Sequence, residues 1–144
     1  MQLVEDTPRR AGHMTGMRGV YLVAAELSKL GFIASPTSRS AAGADILATN
    51  QLCTKAFSVQ VKTNASSFGF WLLSKKAKTM VSRTHIYVLV NIRSNKLGEA
   101  IEYYIVPSKV VAEHMILSET WCQLNIAHAK KYRDKWSCFG APTE

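Results

Sequence analysis

Asp45, Gln60 and Lys62 carry the strongest chemical signal in the chain. They lie in GADILATNQLCTKAFSVQVKTN, residues 43 to 64, where an acid is followed, after fourteen intervening residues, by Gln-x-Lys. A hard divalent cation takes oxygen ligands, and magnesium keeps several of its waters, so it does not require a full protein cage. Asp45, the Gln60 amide oxygen and the backbone carbonyl of Val61 supply such a partial shell. Lys62 would hold or activate an attacking water and offset charge on a phosphorane-like transition state. The chemistry this points to is metal-assisted phosphodiester hydrolysis.

Three elements must position these groups. TGMRGVYLVAAELSKL, residues 15 to 30, places Val20, Val23, Leu27 and Leu30 at helical intervals and is followed by Gly31, a common helix stop. Glu26 falls at the border of that apolar stripe. FIAS and DILAT read as short strands, NQLCTK as a hairpin loop, and AFSVQVKT as a strand with clean alternation. Phe57, Val59 and Val61 point one way along it, and Ser58, Gln60 and Lys62 the other. Pairing of DILAT with AFSVQVKT would bring Asp45, Gln60 and Lys62 together.

HIYVLVNI has the unbroken apolar character of a strand buried on both faces, and SNKLGE turns it into a returning strand, AIEYYIV. Pro107 opens a second helix that runs to about Met115. The stretch from 64 to 84 and LSETWCQLNIA stay open between strand and helix, and HAKKYRDKW reads as a short terminal helix. The expected organisation is a free N-terminal segment over 1–14, one α/β domain over 15–138 with a mixed central sheet flanked by helices, and a fraying tail over 139–144.

A chain of 144 residues, 47% hydrophobic and 19% charged, builds one core without disulfides or structural metals. Cys53, Cys122 and Cys138 are an odd count without a CxxC, and the four histidines form no HExxH, which argues against a zinc hydrolase. No apolar run approaches membrane-spanning length and no secretory leader opens the chain, so the expectation is a cytoplasmic protein. Eighteen Lys and Arg against ten Asp and Glu leave a net charge of +8, which favours polyanionic partners.

The helix glutamate, the GAD strand and the QVK strand, in that order, resemble the PD-(D/E)XK superfamily, the restriction-endonuclease-like nucleases that include archaeal Holliday junction resolvases. In that family a helix Glu, an acid on the second core strand and (D/E)-x-K on the third form a magnesium site. The matching positions are Glu26, Asp45, Gln60 and Lys62. The resemblance runs from about Gly16 through the YYIVPS strand and fades after the Pro107 helix. It implies an αβββαβ core, Mg2+ with Mn2+ able to substitute, cleavage of DNA that includes branched or otherwise structured forms, and a homodimer. Ala44 stands where the family has Pro, and Gln60 replaces the second acid, which places more weight on Glu26 as a ligand, direct or through water.

Arg39, Lys75, Lys76, Lys78 and Arg83 are candidate phosphate contacts, and Phe70 and Trp71 either stack on a base or belong to the core. Each site residue also has a plainer role: Asp45 as a turn cap, Glu26 as a solvated helix edge, and Gln60 and Lys62 as the wet face of a strand. The competing reading of the whole is a nuclease-fold module that binds nucleic acid or a protein partner without cleaving.

Overall fold

The computed structural model describes the backbone of residues 8–38, 43–66 and 69–144, with side chains of the first helix from residue 12 onward. Helix α1, Pro8–Lys29, is the first described element. It begins at Pro8 rather than Thr15, with Pro in the first turn, where its missing N–H costs nothing. Gly31, at φ +96°, ends it: Gly31 N–H donates to Ser28 O and Phe32 N–H to Leu27 O, both at 3.0 Å. This left-handed cap satisfies two carbonyls at the helix end and turns the chain back onto the sheet.

Strands β1 (Ile33–Pro36), β2 (Ile46–Thr49) and β3 (Ala56–Asn64) form an antiparallel meander. Strand β4 (Phe70–Leu73) and a 3-10 turn over Lys75–Lys78 then carry the chain to β5 (His85–Asn95), which runs parallel to β3 and pairs antiparallel with β6 (Gly98–Pro107). The five-stranded sheet has the order β1-β2-β3-β5-β6. After α2 (Ser108–His114), strands β7 (Ile116–Leu117) and β8 (Cys122–Asn125) join β4 in a second sheet of order β4-β8-β7. Among the described residues, no helix is long and apolar enough to cross a membrane.

The mixed sheet is as expected, but its two faces are covered differently. On one face α1 packs Val23 and Leu27 against Phe57, Val59 and Val61 of β3 and Ile86, Val88 and Val90 of β5. On the other, Tyr87, Leu89 and Val106 meet Trp71, Leu73 and Leu124 of the small sheet and Val111 of α2. Strand β5 is buried on both sides, which explains its unbroken apolar run. The crossover from β3 to β5 is β4 with one 3-10 turn, where the αβββαβ pattern leads one to expect an α-helix.

The end of the chain also departs from expectation. HAKKYRDKW is no continuous helix: it holds parts of three 3-10 turns, Ile126–His128, Lys130–Tyr132 and Trp136–Phe139, the first two meeting at Ala129 and the last two separated by Asp134 at φ +52°. The segment 139–144, expected to fray, is docked. Phe139 is 1% exposed and packs on Phe32 and Phe57, Gln51 N–H donates to Pro142 O at 2.8 Å, and Asn50 Nδ2 donates to Glu144 O.

Candidate active site

The pairing of β2 with β3 ends where Ile46 faces Val59. Asp45, the next residue, also addresses Val59 through its N–H, so two residues of β2 meet one of β3 as in a β-bulge. Gln60 and Lys62 lie on the face of β3 opposite to Val59 and Val61, which pack toward α1, and Asp45 meets them at the end of β2.

The backbone fixes Asp45 from both directions: its N–H donates to Val59 O at 2.8 Å, and its C=O accepts from Thr37 N at 2.9 Å. Thr37 Oγ1 also donates to Ala44 O at 2.6 Å. The carboxylate oxygen Oδ2 receives two donors, Gln60 Nε2 and Val61 N, each at 2.8 Å. These engage one oxygen with two N–H groups and leave Oδ1 as the carboxylate's other acceptor. The Val61 carbonyl leaves the strand on the same edge as its N–H, and so faces the open side where β2 has ended.

These groups line a cavity of about 610 Å³. Asp45, Gln60, Val61 and Lys62 form one wall, Pro36, Thr37 and Ser38 a second, and α1 a third through His13, Met17, Val20 and Tyr21. Glu26 is not part of it. Six residues beyond Val20, it is turned by roughly 240° around the helix axis. Its charge instead reaches Tyr103 of β6, whose hydroxyl pKa is raised first by burial and then by Glu26. The structure therefore brings Asp45, Gln60, Val61 and Lys62 together and corrects the expectation for Glu26: the helix residues that line the cavity include no acid.

No family model and no curated protein matches the sequence. Among solved structures, the chain is similar to the 1.6 Å structure of Hjc, a Holliday junction resolvase from the archaeal hyperthermophile Archaeoglobus fulgidus. The TM-score is 0.52 at 14% identity, over 80% of this chain and 92% of that one. The chain shares the resolvase fold.

Within this resolvase fold the basic residues divide. Lys75, Lys76 and Arg83 are exposed on the segment between β4 and β5, and Met80 of that segment lies against Gly43, two residues before Asp45. Lys78 is committed elsewhere, its Nζ donating at 2.8 Å to Ala112 O in the last turn of α2, where a cation complements the helix end. Arg39 lies outside the described residues. Trp71 belongs to the core, 1% exposed with Nε1 donating to Val90 O at 3.1 Å, so it offers no stacking surface.

His13, Tyr21 and Thr37 line the cavity without having been singled out in the sequence. His13 precedes Thr15, where the helical pattern becomes legible. Thr37 acts through a loop hydrogen bond that no periodicity announces. Among the described residues no three His, Cys, Asp or Glu side chains form a group that could hold a metal ion.

Proposed function

We propose that the chain is a metal-dependent DNA phosphodiesterase whose active site is the cavity bounded by Asp45, Gln60, Val61 and Lys62. The observation that carries this reading is the convergence of Asp45 with the Gln-x-Lys strand, held by the two hydrogen bonds to Asp45 Oδ2. The resolvase fold and the +8 net charge support the choice of DNA as substrate.

The donor set suits Mg2+ or Mn2+: one carboxylate and two neutral oxygens, from Gln60 and the Val61 carbonyl, with waters completing the shell. When bound, the ion would polarise the phosphoryl oxygens and lower the pKa of a bound water. Lys62 places a positive charge beside the reacting phosphate and orients the water. Gln60, by donating from Nε2 to Asp45, holds the carboxylate in one rotamer. Glu26 has no part in this site. As in the Holliday junction resolvase, a branched duplex is a candidate substrate, and a homodimer would present two such cavities to its two strands.

One observation favours a second reading, a binding module that does not cleave: among the described residues the cavity has a single carboxylate, and one of its oxygens already accepts two N–H groups. Cleavage of plasmid, four-way-junction and single-stranded DNA with Mg2+ and Mn2+ separates the two. The catalytic reading expects cleavage by the wild type and a loss of at least about a hundredfold in Lys62→Ala, with unchanged folding. Undiminished cleavage by Lys62→Ala overturns the site. Salt-sensitive DNA binding without cleavage in either metal establishes the module.

A further inference from the structure

The basic stretch near the end of the chain is fixed to the edge of the sheet. Arg133 bridges Tyr104 of β6, the Asp134 N–H donates to Tyr103 O at 2.9 Å, and Ala129 and Phe139 are buried. With those positions turned inward, Lys130, Lys131, Arg133 and Lys135 are all exposed. Half-buried Tyr132 gathers two ammoniums over its ring, Lys131 Nζ at 5.3 Å and Lys135 Nζ at 5.5 Å from the centroid. The two carboxylates of this edge are already paired. Glu102, its side chain 12% exposed, meets Arg93 at 2.6 Å and Arg133 at 3.4 Å, and Asp134 stands 3.9 Å from Arg133. Positive charge is therefore in excess here.

This surface continues from the segment beside the proposed catalytic cavity. Met80 lies against Gly43, and Lys78 of the same segment donates to Ala112 O of α2. At the end of α2 the His114 ring stacks on His128, with centroids 4.4 Å apart and planes at 16°. The Ala129 N–H then donates to Ile126 O, closing the turn that leads to Lys130. Exposed Lys75 and Lys76 stand at one end of this line, the two exposed imidazoles in its middle, and the C-terminal cations at the other. Glu113 of α2 pairs with Lys109 at 4.0 Å. Cations strung along several elements suit a regularly charged polyanion, where a compact anion would need them gathered in one pocket. A membrane surface would need apolar side chains among the cations, and among the described residues no large apolar side chain of 126–140 is exposed.

We propose that the C-terminal turns are a second DNA-contacting surface, which grips the phosphates of a duplex arm running from the cavity past the end of α2. The proposal rests on the reading of the chain as a DNA phosphodiesterase and deepens it. A duplex long enough to reach the sheet edge is held by two separate sets of phosphate contacts, and the second carries no sequence information.

The test is fluorescence anisotropy of the metal-free full chain on a duplex of about 30 base pairs, roughly three helical turns, across a series of salt concentrations. Replacing Lys131 and Lys135 together with Ala should reduce the slope of log affinity against log salt by about 2, and replacing both with Arg should preserve it. A charge-matched control, Lys29→Ala with Lys96→Ala, removes exposed lysines at the end of α1 and between β5 and β6, and should leave the slope within about 0.5. An unchanged slope in the Lys131 and Lys135 Ala pair overturns the surface. So does an equal fall in the control, which would report net charge alone. Cleavage by the wild type together with an unchanged slope rejects the surface and leaves the catalytic reading standing. A slope lowered by that Ala pair and not by the control, without cleavage in either Mg2+ or Mn2+, keeps the surface and rejects the catalysis. A wild type that binds no DNA overturns both.

Discussion

Gln60 holds Asp45 by donating to Oδ2, which an acid at the same position could not do. Gln60→Glu would exchange that hydrogen bond for a like-charge contact while adding a strong metal ligand. The metal-free variant should therefore melt lower than the wild type, and its melting temperature should rise more on addition of Mg2+, as a thermal melt with and without the ion will show. Glu26→Gln should leave metal-dependent cleavage within about twofold, since its side chain lies outside the cavity. The shared face of Gln60 and Lys62 was legible because strand alternation has period 2, so the spacing within Gln-x-Lys alone sets it. Glu26 was misplaced because a residue at the border of a helical stripe lies on one of two flanks, and which flank meets the site depends on how the helix crosses the sheet. His85 adds a pH term at this scale: burial lowers its pKa and outweighs the opposing hydrogen bond with Ser58. The unfolded chain then takes up this proton first, so the stability His85 contributes is complete above its ordinary value of 6.5 and is lost as pH falls below it. Melting temperatures measured on acidification should fall less steeply in His85→Gln.

Helix α1 reaches the sheet through Gly19, which packs on Thr63 of β3 so closely that an added Cβ would overlap Thr63 Oγ1. Gly19→Ala should cost about 1–3 kcal/mol by overpacking. Thr63→Ala in the same chain should recover part of that loss, because it removes Oγ1 and Cγ2 from the contact, and with them a buried hydroxyl that has no hydrogen-bond partner among the described residues, while Cβ stays. Denaturant midpoints of the two single variants and the double variant measure this coupling, and an additive result would contradict the contact. From Thr15 onward α1 was readable from its helical period, and the buried β5 from its unbroken apolar run. The small sheet was not, because β4 and β8 are four residues each and pair from Phe70 to Asn125, a partnership that no local pattern encodes. The terminal turns misled for a related reason: the composition of HAKKYRDKW permits a helix, but the chain breaks at Asp134, where Arg133 makes an isolated bridge to Tyr104 and the Asp134 N–H donates to Tyr103 O.

For the whole molecule, the charge excess and the exposed Lys75, Lys76 and Arg83 predict DNA affinity that falls steeply with salt. Replacing Lys75 and Lys76 together with Ala should reduce the slope of log affinity against log salt by about 2, roughly one for each lost phosphate contact, as fluorescence anisotropy will measure. An unchanged slope would move the DNA path to another face. The fold supplies the frame for all of this, but cleavage requires that the cavity past the end of β2 seat a divalent ion. Anomalous diffraction from crystals soaked in manganese tests that requirement most directly. The account predicts a peak in the cavity, bonded to Asp45 and the Val61 carbonyl and lost in Asp45→Asn; crystals in which manganese binds elsewhere and leaves this cavity without a peak would contradict it.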